Sequence, residues 1–202
     1  MANRDTANGL KPVRYASGKP YDGAHNLYYV PAGDGDAMFI GDPVKEVGLI
    51  AATGTHFFGI PVDLMPQCEV MDAGDALARG VVVGFYPNPN ALGTNHKPAS
   101  TAAIVMVADD PDLIFEVQES GTITGVTQVE AVGLNTDLVM GAGNATTGTS
   151  GCEIDSTVTP LTTTLTVRLV RPVPRVDNEQ GANMRWEVRF VEHSGLSATG
   201  IA

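Results

Sequence analysis

Cysteine is nearly absent: Cys68 and Cys152 are the only two in 202 residues. They form neither a C-x-x-C pair nor the dense pattern of a secreted disulfide scaffold, which points to buried thiols in a protein assembled in the cytosol and leaves their pairing open. Long apolar runs are missing as well. None approaches the ~20 residues that span a bilayer as a helix, and the opening MANRDTANGL has no apolar leader core, so neither membrane insertion nor a cleaved signal is expected. Cations are scarce, 12 against 23 acids, for a net charge of −11. A body this acidic repels phosphate, and nucleic acid is therefore not an expected partner.

Catalytic signatures are lacking too. The stretch Gly148-Thr-Ser-Gly151 does not have the spacing of a nucleophile elbow and reads as a turn. His25, His56, His96 and His193 are widely separated, in no H-x-H or H-E-x-x-H arrangement. No phosphate-binding glycine loop occurs, and Glu192 and His193, as neighbours on a strand, would point to opposite faces. The reading is a protein without enzymatic activity, metal or cofactor. Two acidic clusters, Gly33-Asp-Gly-Asp36 and Asp109-Asp-Pro-Asp112, could collect calcium but match no EF-hand loop; Asp-Gly and Asp-Pro steps form turns, and turns are expected there.

What is abundant is punctuation. The 23 glycines and 13 prolines imply many turns and few long helices. Between them lie strand-length apolar runs: Ala37–Ile40, Val44–Ala52, His56–Ile60, Val81–Tyr86 and Ala102–Ala108. Leu113–Gln118, Leu161–Val170 and Arg185–Val191 show the period-2 alternation expected of half-buried strands, with Trp186, Val188 and Phe190 facing inward. The last two are expected to pair across Arg171–Met184, whose length and prolines exclude a tight hairpin and make it project, with Arg171, Arg175 and Asn178 as candidate contact residues. Asp72–Gly80 could supply two helical turns at most. The fold class is mainly β, an antiparallel sandwich, jelly roll or barrel with few short helices.

Residues 1–30 read as an extended N-terminal arm and 31–202 as the β-rich body, with the glycine-rich 139–149 stretch a mobile loop or a junction between two lobes. Four of the five tyrosines fall within 1–30, interleaved with glycine and proline. Tyrosine is enriched where surfaces meet, so Leu10, Pro12, Val13, Arg14, Tyr15, Pro20, Tyr21, Tyr28 and Tyr29 are candidate partner-binding residues. Charge is uneven: residues 1–20 carry about +3 and 168–189 about +2, against −15 over 21–167. Such segments could attract each other between subunits, meet an acidic partner, or simply be solvated.

The block NGLKPVRYASGKPYDGAHNLYYVP (8–31), with FIGDPV (39–44), VADDPDLIFEVQ (107–118), GTSGCEID (148–155) and VRFVEH (188–193), resembles a family of tailed-phage virion proteins encoded near the major capsid protein. The resemblance implies a capsid decoration or cement protein: a β-sandwich or jelly-roll-like homotrimer on the outer capsid surface, assembled in the host cytoplasm and bound to the major capsid protein. The alternatives are another virion part (head fibre, neck or tail component, minor capsid protein), a β-barrel enzyme such as a trimeric nucleotide hydrolase or a cupin, or receptor or carbohydrate binding through 88–97 or 171–184.

Overall fold

The described residues of the computed structural model, 3–50, 52–75 and 77–196, contain fourteen strands and no helix. In chain order the first seven are β1 (Lys11–Tyr15), β2 (Asn26–Val30), β3 (Pro43–Ile50), β4 (His56–Phe57), β5 (Ile60–Pro61), β6 (Pro66–Val70) and β7 (Gly80–Phe85). They are followed by β8 (Ala103–Ala108), β9 (Leu113–Gln118), β10 (Asn135–Thr136), β11 (Leu138–Asn144), β12 (Thr149–Ile154), β13 (Val167–Pro172) and β14 (Arg185–Phe190). The mainly-β expectation holds. Residue 51, inside the expected strand Val44–Ala52, and residue 76, inside the expected Asp72–Gly80 turns, lie outside the described residues.

Two architectures share the chain. Strands β2, β6, β3, β7 and β8 close into a five-stranded barrel, antiparallel except for the β2–β6 contact. Strands β1, β9, β14, β13 and β10 form an antiparallel sheet, and β11 and β12 form a hairpin beside it. Alternation along β2 shows how sequence becomes packing: Tyr28 and Val30 enter the barrel core with Val44, Cys68, Val82 and Val105. Tyr29, one residue out of phase, joins Phe57, Val62 and Ile104 beneath the β4–β5 hairpin.

The largest core lies under the inner face of the five-stranded sheet. Trp186, Val188, Phe190, Phe115, Val117 and Leu169 pack there with Cys152 and Ile154 of the hairpin and with Val81 and Ala108 of the barrel. Barrel and sheet are thereby joined through a common apolar interior, which on transfer energies is the main source of stability. Both thiols are free and buried.

Three expectations are corrected here. The 139–149 stretch is neither a mobile loop nor a junction between lobes: Leu138–Asn144 pairs with Thr149–Ile154, and the small residues let the strands approach, since a Cβ on Gly141 would overlap the Gly151 carbonyl oxygen. The Leu113–Gln118 strand is not half-buried, because Ile114 and Gln118 on its outward face are covered as well. The segment 1–30 is not an appendage. β1 pairs with β9 in register Lys11↔Glu116 to Tyr15↔Leu113, and β2 is a barrel stave paired with β8. Leu10 is 1% exposed in the main core. The physical reason is that a sheet edge and a barrel gap in the same chain present unpaired backbone groups, which the first segment satisfies at higher effective concentration than any neighbour could.

Candidate functional site

The outward face of the β1–β9–β14–β13 sheet gathers the two basic segments that are far apart in sequence. Paired residues on an antiparallel sheet share a face, and Arg189 stands opposite Arg168, Glu187 opposite both Arg171 and Glu116, and Lys11 opposite Glu116. Glu187 is the hub. Arg171 grips it in a fork, with Nε to Oε2 at 2.9 Å and Nη2 to Oε1 at 2.8 Å, while Arg14 donates from Nε at 3.0 Å. Burial pushes this carboxyl up, but the hydrogen bonds from Arg171 and Arg14 outweigh burial and hold it below the usual range. Glu116 likewise takes Arg175 at 3.1 Å and Arg185 at 3.5 Å. Lys11, Arg168 and Arg189 form no ion pair among the described residues; Arg168 instead donates to Asn135 Oδ1 at 3.0 Å.

At one end of the barrel an apolar groove of about 250 Å³ is lined by Phe57, Phe85, Tyr86, Pro87, Leu92 and Pro98, among others. Large apolar side chains rise around it into solvent. Leu92 is 77% exposed and Tyr86 40%; Phe58, 47% exposed, packs edge-on against Phe57 at 4.7 Å. Leu64, 71% exposed, immediately precedes Met65 of the same small core. The groove floor is firm: Phe39 stacks on His96 at 4.9 Å, and the buried Lys97 donates to the Asp36 carbonyl at 2.6 Å and pairs with Asp34 at 3.5 Å.

Two interior polar networks hold the scaffold. Glu119 Oε2 accepts from Trp186 Nε1 at 3.0 Å, its other oxygen accepts from Gln128 Nε2, and Gln128 also bonds both ways to the Gly181 backbone. Burial raises the Glu119 carboxyl to about 7, only partly offset by these donors. In the second network Asp109 accepts from Tyr28 Oη at 2.8 Å, Arg79 at 3.0 Å and Asn26 at 2.9 Å, while Arg79 Nε donates to the Tyr28 hydroxyl. His193, beside Arg79, is lowered by burial and by that guanidinium. No group of three or more potential metal ligands occurs among the described residues. Both acidic clusters form turns, with Asp34 and Asp110 side chains accepting from the amides of Asp36 and Asp112.

The expected contact residues separate into three groups. Leu10, Tyr28 and Tyr29 are interior, and their role as partner-binding residues is corrected: their contact area is used within the chain. Pro12, Val13, Arg14 and Tyr15 sit half-buried on β1, whose free edge is folded over by Lys19 to Tyr21 through the bonds Tyr15 N to Lys19 O and Tyr21 N to Val13 O. Pro20 is exposed and Tyr21 half-buried. In the 171–184 segment, where Val176 is fully exposed, Arg171 and Arg175 cover glutamates. Asn178 is a loop clamp and not a free contact: it donates to the Val173 and Arg185 carbonyls and accepts from Arg185 N at 2.8 Å. Sequence reasoning missed Glu119 and Asp109 as network centres and the groove around Leu92; the one legible signal was an isolated apolar residue inside the polar loop 88–97. No family model, curated protein or solved structure matches this chain.

Proposed function

We propose that this chain is a virion structural subunit that seats on the outer surface of a tailed-phage capsid and cements neighbouring capsomers, with the major capsid protein and further copies of itself, as a trimer, for partners. The observation that carries the reading is the apolar groove lined by the exposed side chains of Leu92 and Tyr86, with exposed Phe58 packed against its lining residue Phe57. Apolar side chains gathered around a concavity and left in water favour contact with another surface. The resemblance of the sequence blocks supplies the kind of surface. The subunit needs no chemical turnover for this role. It binds the assembled lattice and not free capsid protein, so it stabilises the shell by mass action, and several modest contacts multiply through effective concentration. Assembly takes place in the host cytoplasm.

The test is a comparison of particles with and without the subunit. Particles that lack it are expected to rupture at lower temperature, and decorated particles to carry it at lattice copy number. Equal rupture temperatures would refute cementing, and a few copies per particle would assign the chain to a neck or tail position instead.

A further inference from the structure

We infer that the outward face of the β1–β9–β14–β13 sheet is a docking surface for a second copy of this chain, which it takes head-to-tail by the acidic wall of that copy's barrel. Folding gathers the two basic segments of the chain onto this one face. The four strands carry six cations against two carboxylates, so in a chain of net charge −11 everything else carries −15. The two carboxylates, Glu116 and Glu187, are nearly covered, 13% and 8% exposed, and each is already shared by two arginines. What remains facing solvent is cationic: Lys11 and Arg168 are exposed, Arg189 is half-exposed opposite Arg168, and none of the three has an acidic partner among the described residues. Like charges placed directly across a sheet are destabilising in a free subunit, and an anionic partner relieves them.

The complement lies on the same molecule, and among the described residues no ion pair joins it to the cations of its own sheet. On the β3–β6 wall of the barrel, three carboxylates converge on one cation: Lys45 Nζ lies 3.2 Å from Glu69, 3.4 Å from Asp72 and 2.8 Å from Asp75. Asp72 is 81% exposed and Glu69 45%. A surplus of two negative charges there matches the cations of the sheet face. A basic face meeting a different, acidic face makes a heterologous contact, which closes into a ring if the rotation between copies allows. Four strands about 4.8 Å apart and about six residues long at about 3.3 Å each present roughly 400 Å², half of the about 800 Å² that one side of a stable interface buries. The contact is therefore weak per copy and sensitive to salt. This inference rests on the proposed function only in taking further copies as partners, and it is tested on the free chain with no shell present.

Sedimentation velocity of the full chain at about 50 mM ionic strength should show reversible association that about 0.5 M salt removes. A chain that stays monomeric up to about 1 mM in low salt overturns the inference. Two charge-reversed variants then identify the faces: R168E/R189E turns the solvent-facing positions of the sheet, now one cation against two carboxylates, net acidic, and E69R/D72R makes the barrel wall basic. All four positions project into solvent, and unchanged melting curves check that the fold is kept. Each variant alone should associate at least roughly tenfold more weakly than the parent, because both of its faces then carry one sign. Mixed in equal amounts they should associate again, since each supplies the face the other has reversed. Variants that associate like the parent, or a mixture that does not associate, would show that these faces do not meet.

Discussion

Glu119 gives the protein a pH dependence with an unusual sign for a carboxylate. Its folded value of about 7 lies above the roughly 4.3 of an unfolded chain, so the native state binds the extra proton between those values. That contribution is fully present below about pH 4 and is lost as pH rises through 7, with an upper bound of about 4 kcal/mol. In E119Q the difference in unfolding free energy between parent and variant should therefore shrink as pH rises from 5 to 8 in denaturant titrations; a difference that is constant with pH would contradict the assignment. Glu187 behaves oppositely. Its depressed value stabilises the fold above about pH 4.3 and fails as pH falls through the folded value. E187Q leaves Arg14 and Arg171 facing each other and should cost about 1–3 kcal/mol at pH 7, with a flatter loss of stability in acid. Backbone conformation is a separate residue-scale constraint at Gly9. Its φ is +66°, and a Cβ would sit 2.5 Å from both the Gly41 carbonyl oxygen and Ser150 Cβ. G9A is expected to lose roughly 2–4 kcal/mol, whereas G18A, at φ +91° with open space around it, should lose only about 1 kcal/mol.

At the scale of elements, β1 decides how the start of the chain behaves. An appendage could be removed without consequence for the body, but β1 closes the edge of β9 and supplies Arg14 to Glu187, while the residues just before it bond Gln118 from Thr6 and bring Leu10 into the main core. Removing residues 1–15 should lower the melting temperature by on the order of 10 °C and expose β9 as an aggregation-prone edge. A truncated chain that melts with the parent would restore the arm reading. Strand positions were largely readable. Leu113–Gln118 coincides with β9 because its side chains alternate, and Ala102–Ala108 and Val81–Tyr86 lie within one residue of β8 and β7 because each is a short run rich in apolar residues between turn residues. The expected pairing of the last two strands also appears, as β13 with β14. His56–Ile60 instead splits into the β4–β5 hairpin around Phe58 and Gly59, both at positive φ, and β11 was hidden because glycine and alanine carry no hydrophobic period.

For the whole molecule, the exposed end of the barrel and the basic sheet face are separate surfaces with different physics. Leu92 contributes apolar area that the fold does not use, so L92D should leave the melting temperature unchanged while weakening retention on capsids at least roughly tenfold in a pelleting assay. Retention equal to the parent's would remove the groove from the contact. High salt should affect the sheet face far more than the groove, since screening acts on charge and not on apolar burial.

Composition and local pattern by themselves determined the β class, most strand positions, the inward faces of β14 and the turn character of both acidic clusters, because each depends on residues within a few positions of one another. Only the tertiary structure decided that the segment 1–30 completes a sheet and a barrel, that Glu119 meets Trp186 and Gln128, and that Lys11 and Arg14 share a face with Arg168 and Arg189. Those outcomes are set by contacts between segments remote in sequence, such as Arg14 with Glu187, and by competition among unpaired strand edges. No local sequence period encodes which edge a strand will join.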